Sequence, residues 1–262
     1  GEKTMVLFTE FSDPQLCKPV GKNVSIFIYL NDDDKFYKKI IFNIKSNLNL
    51  WLKINIILIK IRSMPKISFP DGRTQSFEKE INGFIIAESI SKSLLKKAVA
   101  ISVNGKQKDL CDIITEDAEI NIITKDSDEG LEIMRHTLTA QVLAKAIKTI
   151  YPKAKLAIGP TIENGFYYDV LFEKPISIDD FPAIEKEMNN IIKKGSQIEK
   201  SYKDKKQVKE LFDSKSEIYK VKIINESEQE KDFQIYEQKD SNFFDLCRGP
   251  HLPSLKFIGP FK

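Results

Sequence analysis

The chain has 262 residues, with 41 Lys and Arg residues against 38 Asp and Glu residues, so its formal net charge is +3. A charge this close to balance neither demands nor excludes a polyanionic partner. A hydrophobic fraction of 41% and a charged fraction of 30% exclude disordered and collagen-like classes. The length allows two small domains. The three cysteines lie far apart, which excludes a dense disulfide framework and favours a reducing, cytoplasmic location.

Membrane and secreted classes are not expected either. The most apolar stretch, residues 48–61, is interrupted by Lys53 and Lys60, whereas a membrane-spanning helix needs about 20 predominantly apolar residues. The sequence also shows no charged-then-apolar leader that ends at a small-residue cleavage site. We therefore expect no membrane partner.

Residues 1–63 differ in composition from the rest of the chain. They are dominated by Ile, Asn and Lys, three residues with AT-rich codons, and they show no sustained period. This predicts a non-native extension translated from upstream DNA, with Met64 as the natural start. The alternative is a short β-rich appendage, since residues 54–61 have the Ile content of a strand. An unsupported strand of this kind would be an exposed, aggregation-prone edge.

Residues 64–125 carry the pattern of a small mixed sheet. Ile67 and Phe69 alternate with polar residues before a Pro-Asp-Gly turn, and Asn104-Gly105 is a strong hairpin signal. Four-residue apolar spacing between Gly83 and Lys97 predicts a helix. The predicted strands occupy 66–69, 99–103 and 118–122. Strands that hold one helix across their face describe a β-grasp fold.

Residues 126–262 predict a second unit of mixed helices and strands, so the fold class is α+β. A polar linker, 125–130, offers Ser127 or Asp128 as a helix cap. The following helix, 131–150, ends where Tyr151 precedes a proline. The remaining predictions are a strand at 165–172, helices at 181–195 and 204–212, and strand-like segments at 219–224 and 233–236.

Histidine is the scarcest chemically useful residue, with only two in the chain. His136 lies near the start of a predicted helix, and His251 follows Cys247 by four residues across a Gly-Pro turn. The turn can bring the thiol and imidazole together, and a second imidazole from the helix would complete a zinc site or a water-activating pocket. Taken alone, the Cys–His pair is better explained by a buried apolar cysteine and a surface turn histidine.

Four segments decide between these interpretations: residues 132–136, 157–169, 219–221 and 245–251. In their order and separations they resemble the N-terminal half of bacterial threonyl-tRNA synthetases, and residues 64–72 resemble the beginning of that family. The resemblance covers residues 64–262. It implies a TGS domain of β-grasp type over 64–125, followed over 126–262 by an editing domain of the kind shared with alanyl-tRNA synthetases.

The resemblance implies hydrolysis of mischarged seryl-tRNA(Thr). Serine lacks one methyl group of threonine, and such a difference is worth only about 1–3 kcal/mol of discrimination, so a second, hydrolytic site is needed. By resemblance the catalytic pocket residues are His136, Lys220, Cys247 and His251, and the substrate-binding residues are Tyr168, Asp245 and Gln141. From the residues alone, Lys220 is equally explained as a solvated strand lysine, and Tyr168 as a core residue in phase with Phe166 and Val170.

The family's catalytic core, with its ATP, Mg and Zn sites, has no counterpart in this chain, so we expect no threonine activation. The expected partners are the acceptor end of tRNA(Thr) and the remainder of the synthetase, with a homodimer only for the full-length enzyme. We therefore expect a piece of a longer enzyme or the product of a split or decaying gene.

Two other functions remain open. The chain is alternatively an inactive module that only touches the tRNA acceptor arm, in which case basic runs would contact phosphate. These runs lie at 96–97, 193–194, 203 and 205–206, and the near-balanced charge favours ordinary solvated faces. A small structural zinc domain is the third hypothesis, which depends only on the Cys–His cluster.

One departure from the family concerns the helix that carries His136. The family usually has a second histidine four residues after the first, whereas here one extra residue intervenes and Gln141 occupies the matching place. In a regular helix Gln141 would point about 140° away from His136. Both side chains would face the pocket only if a π-bulge absorbed the extra residue.

From this departure we expect altered or weakened editing and no tightly bound structural zinc. His136, Cys247 and His251 leave at best three good ligands, and glutamine is a poor fourth. Any zinc at this cluster should therefore be weakly held, with no other cofactor in this part of the enzyme. Stoichiometric, tightly held zinc in a metal titration would contradict the expectation.

Overall fold

The structure is a computed structural model that describes the backbone of residues 23–28 and 38–43, and residues 64–77, 80–163 and 165–261. It divides into two compact units, 1–62 and 63–262. In the first unit, strands β1 (Asn23–Ile28) and β2 (Lys38–Asn43) pair antiparallel. The interpretation of residues 1–63 as a non-native extension stays a prediction. Residues 54–61, the alternative strand, lie outside the described part of the chain.

A five-stranded mixed sheet confirms the predicted β-grasp fold of residues 64–125. Its strands are β3 (Lys66–Ser68), β4 (Thr74–Ser76), β5 (Ala98–Val103), β6 (Lys106–Asp109) and β7 (Ala118–Thr124). Their order is β4-β3-β7-β5-β6, in which β3 runs parallel to β7 and the other pairs are antiparallel. Helices α1 (Gly83–Ile90) and α2 (Lys92–Leu95) follow β4, and α1 contributes Ile86 and Ala87 to the apolar core.

Local chemistry explains two details of this sheet. Asn104 and Gly105 have φ values of 50° and 79°, the left-handed conformation that a tight two-residue hairpin requires between β5 and β6. Gly83 begins α1 where a side chain would collide with Ile101 and Leu110, so its missing Cβ allows the helix to lie close to the sheet.

The second part of the chain combines a helical layer with a three-stranded antiparallel sheet. The helical segments are α3 (Asp128–Thr137), a π-helical turn (Leu138–Leu143), α4 (Ala144–Ile150), α5 (Phe181–Lys194), α6 (Lys205–Ser214) and α7 (Ile218–Glu226). The sheet order is β12 (Ile198–Lys203), β13 (Phe233–Gln238), β14 (Phe244–Leu246). Short pairs join β8 (Lys155–Leu156) to β11 (Val170–Leu171) and β9 (Thr161–Ile162) to β10 (Gly165–Phe166). Two 3-10 turns lie at Ile178–Asp180 and Leu255–Phe257.

The helix boundaries follow ordinary capping chemistry. Ser127 caps α3 by accepting a hydrogen bond from the amide of Gly130, which selects one of the two predicted caps. Gly195 ends α5 in the left-handed conformation, with φ 63°. Asp204 and Gln207 form a capping box at the start of α6. Among the described residues, no helix is both long and apolar enough to cross a membrane.

Two predicted strands are wrong. Residues 219–224 form part of helix α7, because Ile224 packs with Val208 and Phe212 of the neighbouring helix α6. The apolar alternation of this short segment suited a strand, and helix–helix packing decided the outcome. The predicted strand 165–172 is interrupted: only β10 and β11 at its ends are strands, and they pair with different partners.

The extra residue in the His136 helix is absorbed by the π-helical turn. The amide of Ala144 donates to the carbonyl of Thr139, five residues back. Gln238 donates through Nε2 to the carbonyl oxygen of Gln141 at 2.5 Å. Leu138 and Val142, on this turn, pack in one apolar cluster with Ile184 of α5. The turn therefore adds a residue without rotating the helix out of its core contacts.

The two domains share an apolar cluster. Val99, Ala100 and Ile123 from the β-grasp sheet pack against Ile133 of α3 and Leu252, all of them buried. The residue after His251 is thus part of the seam between the domains, so the position of the second domain's Cys–His turn depends on the first domain.

Deleting Ala140 should leave the fold intact, because a one-residue deletion converts the π turn into regular helix and keeps both flanking faces in register. Deleting Lys186, an exposed residue of the regular helix α5, should rotate Met188 and Ile191 away from Ile184. Burial losses of about 2–5 kcal/mol per displaced side chain are expected there. Urea denaturation of both deletion variants measures the difference. Equal losses of unfolding free energy would contradict the assignment of Ala140 to the absorbing turn.

Candidate functional site

His136, Cys247 and His251 converge in the structure. His136 lies near the end of α3, Cys247 follows β14, and His251 follows the Gly249-Pro250 turn. His136 Nε2 lies 2.8 Å from Cys247 Sγ, and the two imidazole rings stack with their centroids 4.6 Å apart. One ligand atom from each residue falls within 4.8 Å of the others. The proximity inferred from the Gly-Pro turn is therefore present in the fold.

Hydrogen bonds fix the turn that carries His251. Thr137 Oγ1 accepts from the amide of Leu252 at 3.0 Å and lies 3.0 Å from His251 Nδ1. The amide of His251 donates to Asp109 Oδ1 at 2.8 Å. The amide of Cys247 donates to the carbonyl of Gln234 on β13 at 3.2 Å. His251 is 2% exposed, so it is a buried residue and not a surface turn histidine.

A cavity of about 570 Å³ opens beside these residues. His136 and Cys247 line it, whereas His251 lies behind them. Its other walls come from α7, the loop after β8, β14 and the loop before β13. The cavity is lined by Ala140, Ala157, Ile158, Gly159, Pro160, Tyr168, Lys220, Ile223, Glu226, Ser227, Gln229, Asp232, Phe233, Gln234, Asp245, Leu246, Arg248 and Gly249.

Lys220, Asp245 and Tyr168 form a buried polar group on the cavity wall. Lys220 Nζ lies 2.7 Å from Asp245 Oδ1, and the Tyr168 hydroxyl donates to Asp245 Oδ2 at 3.2 Å. The amide of Leu246 also donates to Asp245 Oδ1. Lys220 is 5% exposed and lies on a helix, so the alternative of a solvated strand lysine is wrong. Tyr168 lines the cavity and, like Val170, also packs against the apolar cluster around Ile147 and Leu156.

Gly159 allows Tyr168 to approach the cavity floor. A Cβ at Gly159 would collide with the Tyr168 ring and lie 2.7 Å from the Thr139 methyl carbon. A glycine is therefore required where the loop after β8 crosses the aromatic ring.

Gln141 does not line the cavity in which the sequence placed it. Its side chain is fully buried, and its Nε2 lies 3.4 Å from the carbonyl oxygen of Tyr236. Ala140, the preceding residue, lines the cavity instead. The π turn thus occurs as considered, but it directs Gln141 toward strand β13. A substrate-binding role for Gln141 stays a prediction.

Burial sets the protonation states of the three converging groups. It lowers the pKa of His136, although Asp245 and Asp109 act in the opposite direction, and it lowers the pKa of His251 well below the ordinary value. Burial raises the pKa of the Cys247 thiol to about 11. At neutral pH the site therefore contains two neutral imidazoles and a protonated thiol.

Three donors fit a zinc site with an open coordination position better than a closed structural site, which uses four. Within the part of the chain that the structure describes, His251 Nε2 and Gln141 Oε1 are buried without a hydrogen-bond partner. Neutral imidazoles are the form that binds metal, whereas Cys247 would have to lose its proton. His136, Cys247 and His251 would hold the ion, and a zinc so bound would lower the pKa of a bound water.

Sequence reasoning missed three residues that support the site. Thr137 was only the neighbour of a histidine, Arg248 is an exposed cavity residue, and Asp109 belongs to the other domain. Only Arg248 carried a signal, since it lies inside the motif of the Cys–His turn. Thr137 and Asp109 act across the fold and leave no local pattern.

The first domain and the end of the chain match two known families. Residues 65–124 match the TGS domain, and residues 233–262 match the threonyl and alanyl tRNA synthetase second additional domain. Among curated proteins, threonine–tRNA ligase from Bartonella bacilliformis is 44% identical over 193 residues, and that from Brucella canis is 42% identical over the same length. Each alignment covers 74% of this chain and 29% of the relative.

The chain is related to the N-terminal region of threonyl-tRNA synthetases. It contains a TGS domain and an editing-type domain, which confirms the resemblance drawn from the motifs. The chain spans just under a third of the length of the curated threonyl-tRNA synthetases it matches.

Because His136 and His251 are buried, the unfolding free energy of the chain should depend on pH. Because the pKa of His251 is lowered in the folded state, the unfolded chain takes up a proton below about pH 6.5 that the folded chain refuses. The unfolding free energy should therefore fall as pH drops from 7.5 to 5.5, by at most about 1.4 kcal/mol per pH unit for each histidine.

Urea denaturation at several pH values measures this slope. Only two histidines occur in the chain, and carboxyl groups titrate mainly below this window. The slope should be smaller in His251→Gln than in the unsubstituted chain. An identical slope in both proteins would show that His251 is not held neutral by the fold.

Proposed function

We propose that this chain hydrolyses the ester bond of seryl-tRNA(Thr), with the 3′-terminal aminoacyl-adenosine seated in the cavity between α3, α7 and the Cys–His turn. The observation that carries the proposal is the convergence of His136, Cys247 and His251 from two distant segments at this cavity. The relation to threonyl-tRNA synthetases supports an aminoacyl-tRNA as the substrate class. In this proposal the hydrolytic unit consists of the TGS domain (64–125) and the editing domain (126–262).

The protonation states favour attack by water over attack by the thiol. With a pKa raised to about 11, Cys247 is almost entirely a thiol at neutral pH, and the thiol is a poor nucleophile. A neutral imidazole at His136 is able to accept a proton from an attacking water. His136 Nε2 lies 2.8 Å from Cys247 Sγ. With the Nε2 proton directed at the sulfur, the cysteine orients the ring, and Nδ1 is the nitrogen that accepts the proton of the attacking water.

Lys220 supplies positive charge where the ester oxygen becomes negative. Its ammonium group pairs with buried Asp245 and keeps further N–H donors. Burial also raises the pKa of the Tyr168 hydroxyl, which keeps this donor to Asp245 protonated. Asp245 and Tyr168 thereby fix the ammonium group before substrate arrives, and fixed donors are the main source of oxyanion stabilisation.

The proposed partners follow from the same site. Arg248 is exposed at the cavity and is placed to contact a phosphate of the tRNA acceptor end. Two lysines of the basic runs are already paired, Lys97 with Asp126 and Lys205 with Glu230, so these two contribute less. The remainder of the synthetase is the second proposed partner, and it would carry ATP, Mg and threonine activation.

Serine release from labelled seryl-tRNA(Thr), compared with threonine release from threonyl-tRNA(Thr), tests the proposal. The chain should release serine selectively. His136→Ala, Cys247→Ala and Lys220→Ala should each lower the rate by about 10²-fold or more, the range expected for loss of a proton-transfer or oxyanion group.

Two substitutions serve as matched controls. Lys222→Ala removes an exposed lysine of the same helix as Lys220, and Cys111→Ala removes an exposed cysteine. Both should retain the original rate. Binding of seryl-tRNA(Thr) without release of serine would overturn the hydrolase proposal and identify an inactive module that binds the acceptor arm.

A further inference from the structure

We propose that Asp109, a residue of the TGS domain, is a positioning residue for the hydrolytic site: it holds the His251 turn from outside the editing domain. This inference rests on the proposed hydrolysis for its effect on rate, whereas the contact itself is testable without activity. If Asp109 holds this turn, the TGS domain contributes directly to the structure of the hydrolytic site.

Asp109 lies at the end of β6 and is 6% exposed. Its Oδ1 accepts from the amide of His251 at 2.8 Å, and its Oδ2 accepts from the Tyr236 hydroxyl at 2.7 Å and from Lys200 Nζ at 2.9 Å. All three donors belong to the editing domain. One carboxylate therefore joins the Cys–His turn, strand β13 and strand β12 to the β-grasp sheet.

The same contacts set the position of the His251 ring. The Tyr236 and His251 rings pack in a T-shaped arrangement, with centroids 4.4 Å apart. A Cβ at Gly249 would collide with the Tyr236 hydroxyl, so only glycine fits at this position. Its φ of +65° is also a backbone conformation that favours glycine. Asp109 holds the Tyr236 hydroxyl and the His251 amide together. Replacing Asp109 therefore releases the Tyr236 side chain, which packs on the His251 ring, and also the backbone amide of His251.

The apolar seam points to the same arrangement independently. Leu252, directly after His251, is buried against Val99, Ala100 and Ile123 of the TGS sheet. The His251 turn is thus bounded by an apolar contact on one side and a carboxylate on the other, and both come from the TGS domain. His251 stacks on His136, the proposed base, with the ring centroids 4.6 Å apart, so a displaced turn also displaces His136. A shift of about 1 Å in such a group can lower a rate about 10²-fold.

Asp112 provides a matched control. It accepts from the same Lys200 ammonium group at 2.7 Å and from the Tyr202 hydroxyl at 3.3 Å. Burial opposes the charge of Lys200, but Asp112 and Asp109 outweigh it and raise the lysine pKa. Asp112 accepts no hydrogen bond from His251 or Tyr236 among the described contacts. Asp112 Oδ2 also accepts from the amide of Asp109 at 3.1 Å. The asparagine of Asp112→Asn keeps one acceptor oxygen for that amide, so the substitution removes the charge beside Lys200 and leaves the turn in place.

The experiment compares Asp109→Ala with Asp112→Asn in the full chain by two readouts. Hydrogen–deuterium exchange of the His251 amide should be at least about 10-fold faster in Asp109→Ala, because its acceptor is lost. It should be unchanged in Asp112→Asn. The kcat for serine release should fall about 10-fold to 100-fold in Asp109→Ala, with KM changed less than twofold, and stay within twofold in Asp112→Asn.

The outcomes separate this inference from the proposed function. Unchanged exchange of the His251 amide in Asp109→Ala overturns the inference, and so does a faster exchange with an unchanged kcat. If the unsubstituted chain releases no serine, the proposed function fails, and the exchange comparison alone decides whether Asp109 holds the turn. Should Asp109→Ala not fold, Asp109→Asn, which keeps one acceptor oxygen, should show a smaller change in the same direction.

Discussion

The carboxylate of Asp109 is buried where the β-grasp sheet meets the second domain, and a buried carboxylate is tolerated only when donors surround it. Its three donors come from the His251 amide, Tyr236 and Lys200. Satisfying this one group therefore fixes a turn and two strands of the other domain at once. The apolar contact of Leu252 with the same sheet acts in the same direction. The geometry of the Cys–His turn is a consequence of packing between domains.

The π-helical turn shows how a chain accommodates an extra residue beside a functional group. A regular helix would have rotated every following apolar residue by 100° and taken Val142 out of its cluster with Ile184. Widening one turn keeps both faces in register, and Gln238 satisfies the carbonyl oxygen of Gln141. The consequence is local: Ala140 faces the cavity and Gln141 faces strand β13. The residue four positions after His136 is therefore Ala140, whose methyl group forms part of the cavity wall.

Burial leaves the imidazoles and the thiol of the site uncharged, whereas Lys220 and Asp245 are buried as an ion pair. It disfavours the charged form, so it keeps both imidazoles neutral and the Cys247 thiol protonated. Lys220 and Asp245 are also buried, but they compensate each other at 2.7 Å. The site thus combines two uncharged imidazoles with one buried ion pair.

The β-grasp fold, the helical segment predicted at 131–150 with its cap near Ser127, and the end of α5 at Gly195 were predictable because turns, caps and apolar periods act over a few residues. The proximity of Cys247 and His251 was predictable for the same reason, since a Gly-Pro turn separates them. Local pattern failed at residues 219–224, where packing of Ile224 against Phe212 selects a helix over a strand. The helix that forms there places Lys220 next to Asp245.

By itself the sequence determined which chemical groups exist, their local secondary structure and the family motifs in which they occur. Tertiary structure alone decided that Thr137 and Asp109 hold the His251 turn, that Gln141 turns away from the cavity, and that the thiol and imidazoles are uncharged. The physical reason is that burial and long-range hydrogen bonds depend on which distant segments pack together. No spacing along the chain encodes the desolvation that sets those protonation states.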